Sequence, residues 1–175
     1  ALPGETDNRT WGVDGKWGIG EYAEIYGYLA ATDTPGLEGD DSSWSLSGSW
    51  DSPKWSLGLT AVEVGENFNP EVGFLTREGY RKFATNSLKR IRPQDFYGMM
   101  EIRPHYSYRA YWDFEDFKET SFLHLDVHWE WQNGYELHTG YNIFTDGIKE
   151  EFDIVDDVWV QPGTYYGSEV QLVFM

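Results

Sequence analysis

The sequence contains no cysteine and few basic residues. Without cysteine, the chain can form neither a disulfide framework nor a thiolate metal site. Only 13 Lys and Arg residues stand against 30 Asp and Glu residues, which gives a formal net charge of -17. A nucleic-acid partner would require a basic surface, so we expect no nucleic acid among the partners.

Long apolar runs are also absent from the sequence. No segment approaches the roughly 20 apolar residues that a membrane-spanning helix requires, whereas the strands of a membrane barrel would escape this criterion because their apolar residues alternate with polar ones. Aromatic residues and glycine are abundant, with 9 Trp, 12 Tyr, 10 Phe and 19 Gly. This composition is typical of a β-rich protein.

Alternation of apolar and polar residues recurs along almost the whole chain. It predicts an all-β fold, an antiparallel up-and-down meander of about nine long strands in a single domain over residues 1–175. We expect this meander to be part or all of a transmembrane β-barrel. The predicted strands lie at about 10–18, 22–31, 43–50, 55–64, 80–92, 97–112, 120–132, 136–145 and 165–175.

The segment from Phe122 to Phe144 predicts a long hairpin around Asn133-Gly134. Residues opposite each other in an antiparallel pair share a face, so only an odd loop keeps charge off the apolar side. A three-residue turn with a left-handed glycine meets this condition. It pairs Glu130 with His138, or His128 with His138 if the register shifts by two residues. A second hairpin is expected to set Trp50 opposite Trp55 across a four-residue loop.

The predicted connections alternate in length. Turns near residues 19, 52, 94 and 133 are short, whereas the connections at about 32–42, 65–79, 113–119 and 146–163 are longer, and three of these four are acidic. Short turns at one end and long loops at the other are typical of outer-membrane barrels. Because nine is an odd number and free strand edges are unfavourable in lipid, we expect further strands, further copies or partner chains to complete the wall.

Tryptophan residues recur near both ends of the predicted strands. In an outer-membrane barrel such residues form girdles at the two membrane interfaces. The predicted lipid-facing or girdle residues are Trp17, Trp44, Trp50, Trp55, Trp112, Trp129 and Trp131.

Three segments also carry a resemblance to a known family: residues 8–20 (NRTWGVDGKWGIG), 65–82 (GENFNPEVGFLTREGYRK) and 111–140. The sequence resembles an uncharacterised bacterial domain of unknown function that commonly follows a carbohydrate-binding module of the family-nine type in secreted outer-membrane proteins. Residues 67–74 are the most specific piece. The resemblance implies an outer-membrane β-barrel and a link to glycans, and it supplies no reaction. The carbohydrate-binding module and the early strands of the usual architecture are not in this sequence.

Charged and polar residues on the opposite faces of the last strands predict a polar interior. The residues assigned to it are Glu101, Arg103, His105, Arg109, His124, Asp126, His128, Glu130 and His138. Four of these, His124, Asp126, His128 and His138, have the residue types and strand spacing of a zinc site. The alternative is a hydrogen-bonded polar wall without metal. The acidic loops at 39–41 and 153–157 offer oxygen ligands for calcium, although their spacing fits no defined calcium loop.

The sequence therefore favours a segment of a bacterial outer-membrane barrel that acts as a scaffold, channel or assembly subunit, with membrane lipid as its surroundings and no resident cofactor. One alternative is a soluble antiparallel β protein that binds carbohydrate through aromatic residues. A second alternative is a metal-dependent hydrolase that uses the face of His124, Asp126 and His128. No nucleophile motif or phosphate-binding loop occurs, which favours a role other than catalysis.

Overall fold

The computed structural model describes residues 7–175 and consists of β-strands and their connections. Nine strands form one antiparallel sheet, and each of the nine pairs with the one that follows it in this set. The strands of this sheet are β1 (Arg9–Ile19), β2 (Ala23–Asp33), β3 (Ser42–Asp51), β4 (Trp55–Val64), β5 (Tyr80–Lys89), β6 (Met99–Trp112), β7 (Lys118–Trp131), β8 (Glu136–Ile148) and β11 (Gly163–Phe174).

The predicted up-and-down meander is confirmed, and its strands of 10 to 14 residues are long for a β protein. The sheet is not closed into a barrel, because β1 and β11 are its two edges and do not pair with each other. Residues 1–6 of the predicted domain lie outside the described residues.

One small hairpin was not predicted. β9 (Phe152–Val155) and β10 (Val158–Val160) form a separate two-stranded sheet within the predicted third acidic loop. With four and three residues, these strands are too short for an alternation pattern to emerge, and acidic residues surround them. β8 also continues to Ile148, three residues beyond the predicted end.

The hairpin of β7 and β8 has the predicted odd loop. The Trp131 N–H donates to the Tyr135 carbonyl at 3.0 Å, and Gly134 has a φ of 90° within the turn. Of the two registers left open by the sequence, the structure has the one that pairs His128 with His138. Glu130 consequently pairs with Glu136, which places two carboxylates side by side on the polar face.

The predicted pairing of Trp50 with Trp55 is wrong by two residues. Trp50 pairs with Leu57, because the turn closes between Ser52 and Trp55. The Ser52 N–H donates to the Trp55 carbonyl at 2.7 Å, and the Ser52 hydroxyl oxygen accepts the Trp55 N–H at 3.1 Å. A shift of two residues preserves the faces, so both tryptophans still point outward.

Pro104 interrupts the pairing between β5 and β6. Proline lacks the N–H that a strand donates to its neighbour. The continuous ladder between these strands ends at Leu88 and His105 and resumes only as an isolated bridge between Ile91 and Ile102. β6 nevertheless remains a central strand, since Pro104 keeps its place opposite Val127 on β7.

The sheet buries polar side chains on one face and exposes apolar side chains on the other, which is the reverse of the usual arrangement in a water-soluble protein. We call the face that carries Ser43, Ser47 and Asn142 the inner face, and these side chains are 1%, 4% and 2% exposed. The outer face carries Leu46 and Leu59, which are 56% and 52% exposed. This difference indicates a sheet that curves around its polar face.

The long loops at one end of the sheet are bound to one another. The side-chain amide of Asn67 donates to the carbonyl of Gly39 at 2.9 Å and to that of Glu38 at 3.2 Å, and the Asn67 N–H donates to the Asp40 carbonyl at 3.0 Å. The next residue, Phe68, is buried. Asn67, in the most specific part of the family resemblance, thus stabilises the 34–41 loop.

No helix among the described residues is long and apolar enough to cross a membrane.

Candidate functional site on the inner face

All four histidines of the chain come together on the inner face, around Asp126. Their positions follow from the cross-strand pairs, which set His105 opposite Asp126, Arg103 opposite His128 and His128 opposite His138. The predicted polar cluster thus spans three neighbouring strands, β6, β7 and β8. We call His105, His124, Asp126, His128 and His138 the histidine cluster.

Asp126 lies at the centre of this cluster and is 8% exposed. Its Oδ1 accepts the backbone N–H of Thr139 at 3.0 Å, and the Thr139 hydroxyl donates to the Val127 carbonyl at 3.2 Å. These side-chain bonds replace a normal ladder bond between β7 and β8. The Asp126 carboxylate is thereby held in one orientation, with Oδ2 directed at the histidines.

His124 is oriented by a chain of hydrogen bonds that crosses to β11. Asn142 donates its amide N–H to the Glu169 carboxylate at 2.6 Å, so its carbonyl oxygen faces His124 Nδ1, which lies 2.6 Å away. Because that oxygen can only accept, Nδ1 of His124 carries the ring proton. In the neutral ring, Nε2 of His124 therefore holds the lone pair, and it lies 3.6 Å from Asp126 Oδ2.

His105 has the same arrangement of donor and lone pair. Its Nδ1 lies 3.2 Å from the carbonyl oxygen of Arg103, an acceptor that requires the ring proton on this nitrogen. Nε2 is again the atom with the lone pair. The ligand atoms of His105, His124 and Asp126 all lie within 4.8 Å of one another.

His128 and His138 form a parallel stack across the β7–β8 pair. Their ring centroids are 3.6 Å apart and their planes differ by 6°. His128 Nε2 lies 3.1 Å from Asp126 Oδ2, and His138 Nε2 lies 3.2 Å from Glu136 Oε2. Each ring therefore donates to a carboxylate.

A second polar group lies beside the histidines, toward the short turns. Arg103 Nη1 is 3.0 Å from Glu130 and 3.6 Å from Glu101, and its Nη2 is 3.7 Å from Glu136. Glu101 is also paired with Arg92 at 2.7 Å. The predicted residues Glu101, Arg103 and Glu130 are thus close together, whereas Arg109 lies further along the strand, with its guanidinium 4.5 Å from the Phe122 ring centroid.

Several members of these groups were not among the predicted site residues. Asn142, Glu169, Arg92 and Glu136 all take part in the contacts described above. The alternation already places Asn142 and Glu136 on the same face as His138, and this parity was the only signal for them in the sequence. The contacts of Glu169 and Arg92 depend on which strands become neighbours in the sheet.

The predicted girdle tryptophans occupy outer-face positions. Trp17, Trp50 and Trp55 are well exposed, and the other four are partly covered. Trp11 shares their face, since it pairs with Ala31, so that eight of the nine tryptophans lie on this side of the main sheet and the ninth lies in β10. Charged residues at described outer-face positions lie within two residues of a strand end, namely Arg9, Asp33, Glu63, Arg81, Lys89 and Glu119.

Outside the sheet, the loop after β6 contains a well-bonded carboxylate. Asp113 Oδ1 accepts the N–H groups of Glu115 and Phe117 at 2.9 Å each, and Oδ2 pairs with Lys149. The bond to Lys149 and the two backbone donors hold the pKa of Asp113 below its ordinary value. The same contact, together with Glu115, raises the pKa of Lys149.

A shallow groove of about 490 Å³ lies mainly on the outer face, at the interruption of the β5–β6 ladder. Trp55, Pro104, Tyr106 and Tyr141 contribute to its lining. His105 and Asp126 of the histidine cluster also contribute to this lining, so the groove and the cluster adjoin each other.

No protein family model matches the chain, no curated protein is similar to it, and no solved structure matches its fold.

Proposed function

We propose that this chain forms part of the wall of a transmembrane β-barrel in a bacterial outer membrane, as a scaffold, channel or assembly subunit. The observation that carries the proposal is the inverted burial in the inner strands of the sheet, where polar side chains such as that of Ser43 are buried and apolar side chains such as that of Leu46 are exposed. In water, an outer face with Val13, Leu46, Leu59 and Val170 all more than half exposed would be strongly unfavourable. In a bilayer, that face would contact acyl chains and the polar face would line the interior.

The distribution of charge supports the same proposal. Charged side chains in the middle of a lipid-facing strand are unfavourable by about 2–4 kcal/mol, and this penalty falls to about zero to 1 kcal/mol near the interfaces. The outer-face charges lie at the strand ends, where Glu63 pairs with Arg81 at 3.1 Å and Lys89 lies 5.2 Å from the Trp55 ring centroid. Such ends would meet the lipid head groups.

The edges of the sheet define the partners that this function requires. Backbone N–H and C=O groups at a free edge cost several kcal/mol each in a hydrocarbon environment. β1 and β11 would therefore pair with remaining barrel strands, further copies of the chain or partner chains. Because the sequence resembles a domain that follows carbohydrate-binding modules, we propose a link to glycans as the biological context.

The absence of cysteine allows a direct test with matched single-cysteine variants. Leu46→Cys and Ser47→Cys are neighbours on opposite faces, and Leu59→Cys and Thr60→Cys form a second pair. Each variant, reconstituted in phospholipid vesicles, is labelled with a nitroxide, and its accessibility to oxygen and to a water-soluble nickel chelate is measured. We expect high oxygen accessibility with low nickel-chelate accessibility at 46 and 59, and low oxygen accessibility at 47 and 60.

A protein that stays monodisperse without detergent and shows high nickel-chelate accessibility at 46 and 59 would refute the membrane assignment. That outcome would favour the second candidate, a carbohydrate-binding β protein. The specific support for that candidate is the outer groove, where Trp55, Tyr106 and Tyr141 offer aromatic surfaces on which a sugar ring can stack. Saturable binding of an oligosaccharide that Trp55→Ala abolishes would establish it.

A further inference from the structure

We propose that His105, His124 and Asp126 bind a divalent transition-metal ion on the inner face of the sheet. The set contains two imidazoles and one carboxylate, the ligands that zinc and related ions take in proteins. The three ligands lie on β6 and β7, and β8 and β11 supply the residues that orient them.

The first argument is the direction of the lone pairs. Neutral imidazole binds a metal through the nitrogen that has no proton, and in metal sites the other nitrogen usually donates to a carbonyl or carboxylate group. Both rings already meet this condition, since His105 Nδ1 faces the Arg103 carbonyl and His124 Nδ1 faces the Asn142 carbonyl oxygen. The two Nε2 atoms are consequently available as ligands.

The second argument is distance. With bonds of about 2.1 Å to nitrogen and oxygen, two ligands of a tetrahedral zinc ion lie roughly 3.4 Å apart. His124 Nε2 and Asp126 Oδ2 are 3.6 Å apart, and a ring nitrogen of His105 belongs to the same group within 4.8 Å. The three residues would leave a fourth position of a tetrahedral ion for water.

The third argument is the support around the ligands. The Thr139 N–H fixes Asp126 Oδ1, and the Glu169–Asn142 pair fixes the ring of His124. Asn142 is almost fully buried, so this bond cannot readily exchange with solvent. Outer contacts of this kind orient metal ligands and typically contribute 10- to 100-fold to affinity.

The stacked pair is the weaker candidate, although Asp126, His128 and His138 also lie within 4.8 Å of one another. A metal ion lies close to the plane of each imidazole that binds it. Two rings stacked at 3.6 Å with parallel planes cannot both contain one ion in their planes. His128 and His138 would have to leave the stack and give up their bonds to Asp126 and Glu136.

The experiment uses the full chain without a polyhistidine tag, folded in detergent and freed of metal by chelation. Zinc is titrated calorimetrically into the wild type, His124→Ala, His105→Ala and the matched control His138→Ala. We expect one zinc ion per chain in the wild type and in His138→Ala, and a loss of affinity of more than 100-fold in the other two variants. Asn142→Ala should weaken binding by about 10- to 100-fold.

A second measurement does not depend on the folding of any variant. X-ray absorption of the zinc-loaded wild type should show a shell of nitrogen and oxygen ligands with two imidazoles. The proposal is overturned if the wild type binds no zinc, if the ion has fewer than two imidazole ligands, or if His138→Ala abolishes binding while His124→Ala leaves it intact. The last result would assign the ion to the stacked pair.

Discussion

At the scale of single residues, Arg103 lies among three carboxylates. Glu130 and Glu136 are direct cross-strand neighbours, and like charges in such positions repel. The guanidinium of Arg103 contacts both of them and also Glu101, and it is only 24% exposed. Arg103 therefore offsets the repulsion within this acidic group, and Arg92 adds a second cation at Glu101.

We expect Arg103→Gln to lower the free energy of unfolding by about 1–3 kcal/mol near neutral pH, because three partly buried carboxylates lose their common partner. Urea titrations in detergent at neutral pH measure this loss. Lys16→Gln is the matched control, since the exposed Lys16–Glu24 pair should contribute less than about 1 kcal/mol. Equal losses in the two variants would contradict this role.

The lowered pKa of Asp113 predicts a dependence of stability on pH. Because the folded pKa lies below the unfolded value of about 3.9, the unfolded state binds more protons in this range, and stability rises with pH. The stabilisation is complete above the unfolded value and is lost as the pH falls through the folded one. We expect Asp113→Ala to flatten the acid limb of the unfolding curve. Unfolding measured across the acid range provides the test, and an acid limb that Asp113→Ala leaves unchanged would contradict this role.

At the residue scale, the sequence predicted which side chains share a face but not which of them touch. Parity placed His124, His128 and His138 together on the polar side. The stack of His128 on His138 depends on a register shift of two residues that alternation cannot distinguish. The pairing of Asn142 with Glu169 requires that β11 lies next to β8, with the β9–β10 hairpin excluded from the main sheet.

At the scale of elements, the packing of the long loops depends on a close approach between the backbone at Gly65 and the backbone of the 34–41 loop. Gly65 follows β4, its N–H donates to the Ser42 carbonyl at 2.8 Å, and a Cβ at this position would lie 1.9 Å from the Asp40 carbonyl oxygen. No L side chain fits there without moving the 34–41 loop. The strand pattern gave no indication of this contact, because it lies between two connections that both lack alternation.

We expect Gly65→Ala to destabilise the fold by about 1–3 kcal/mol, since the added methyl group displaces backbone rather than a flexible side chain. Thermal or urea unfolding provides the measurement. Gly48→Ala is the control, because a Cβ on Gly48 meets nothing within 4 Å and alanine lowers the entropy of the unfolded chain. If Gly65→Ala proved as stable as Gly48→Ala, the packing of the two loops would have to differ from that described.

At the scale of the whole molecule, the proposed barrel wall gives two adjacent residues opposite surroundings, one in hydrocarbon and one in the polar interior. Leu59 is on the outer face near the middle of β4, and Thr60 is on the inner face, hydrogen-bonded to Ser47 at 3.0 Å. In water, the more exposed Leu59 would accept a charge readily. In a bilayer, that position meets hydrocarbon.

We therefore expect Leu59→Arg to reduce the stability of the membrane-inserted protein by about 2–4 kcal/mol. Thr60→Arg should be tolerated better, since its charge would lie in the polar interior. Unfolding of both variants from phospholipid vesicles supplies the comparison. A Leu59→Arg variant that is at least as stable as Thr60→Arg would indicate that the outer face meets water.

The odd number of strands in the main sheet has a geometric consequence for its completion. Each strand runs opposite to its neighbour, so the first and ninth strands, β1 and β11, run in the same direction. Joining these two edges, within one chain or between copies inserted with the same orientation, would create a parallel seam. A wall that is antiparallel throughout instead requires an odd number of additional strands between β11 and β1, and this parity rule restricts which partners can close it.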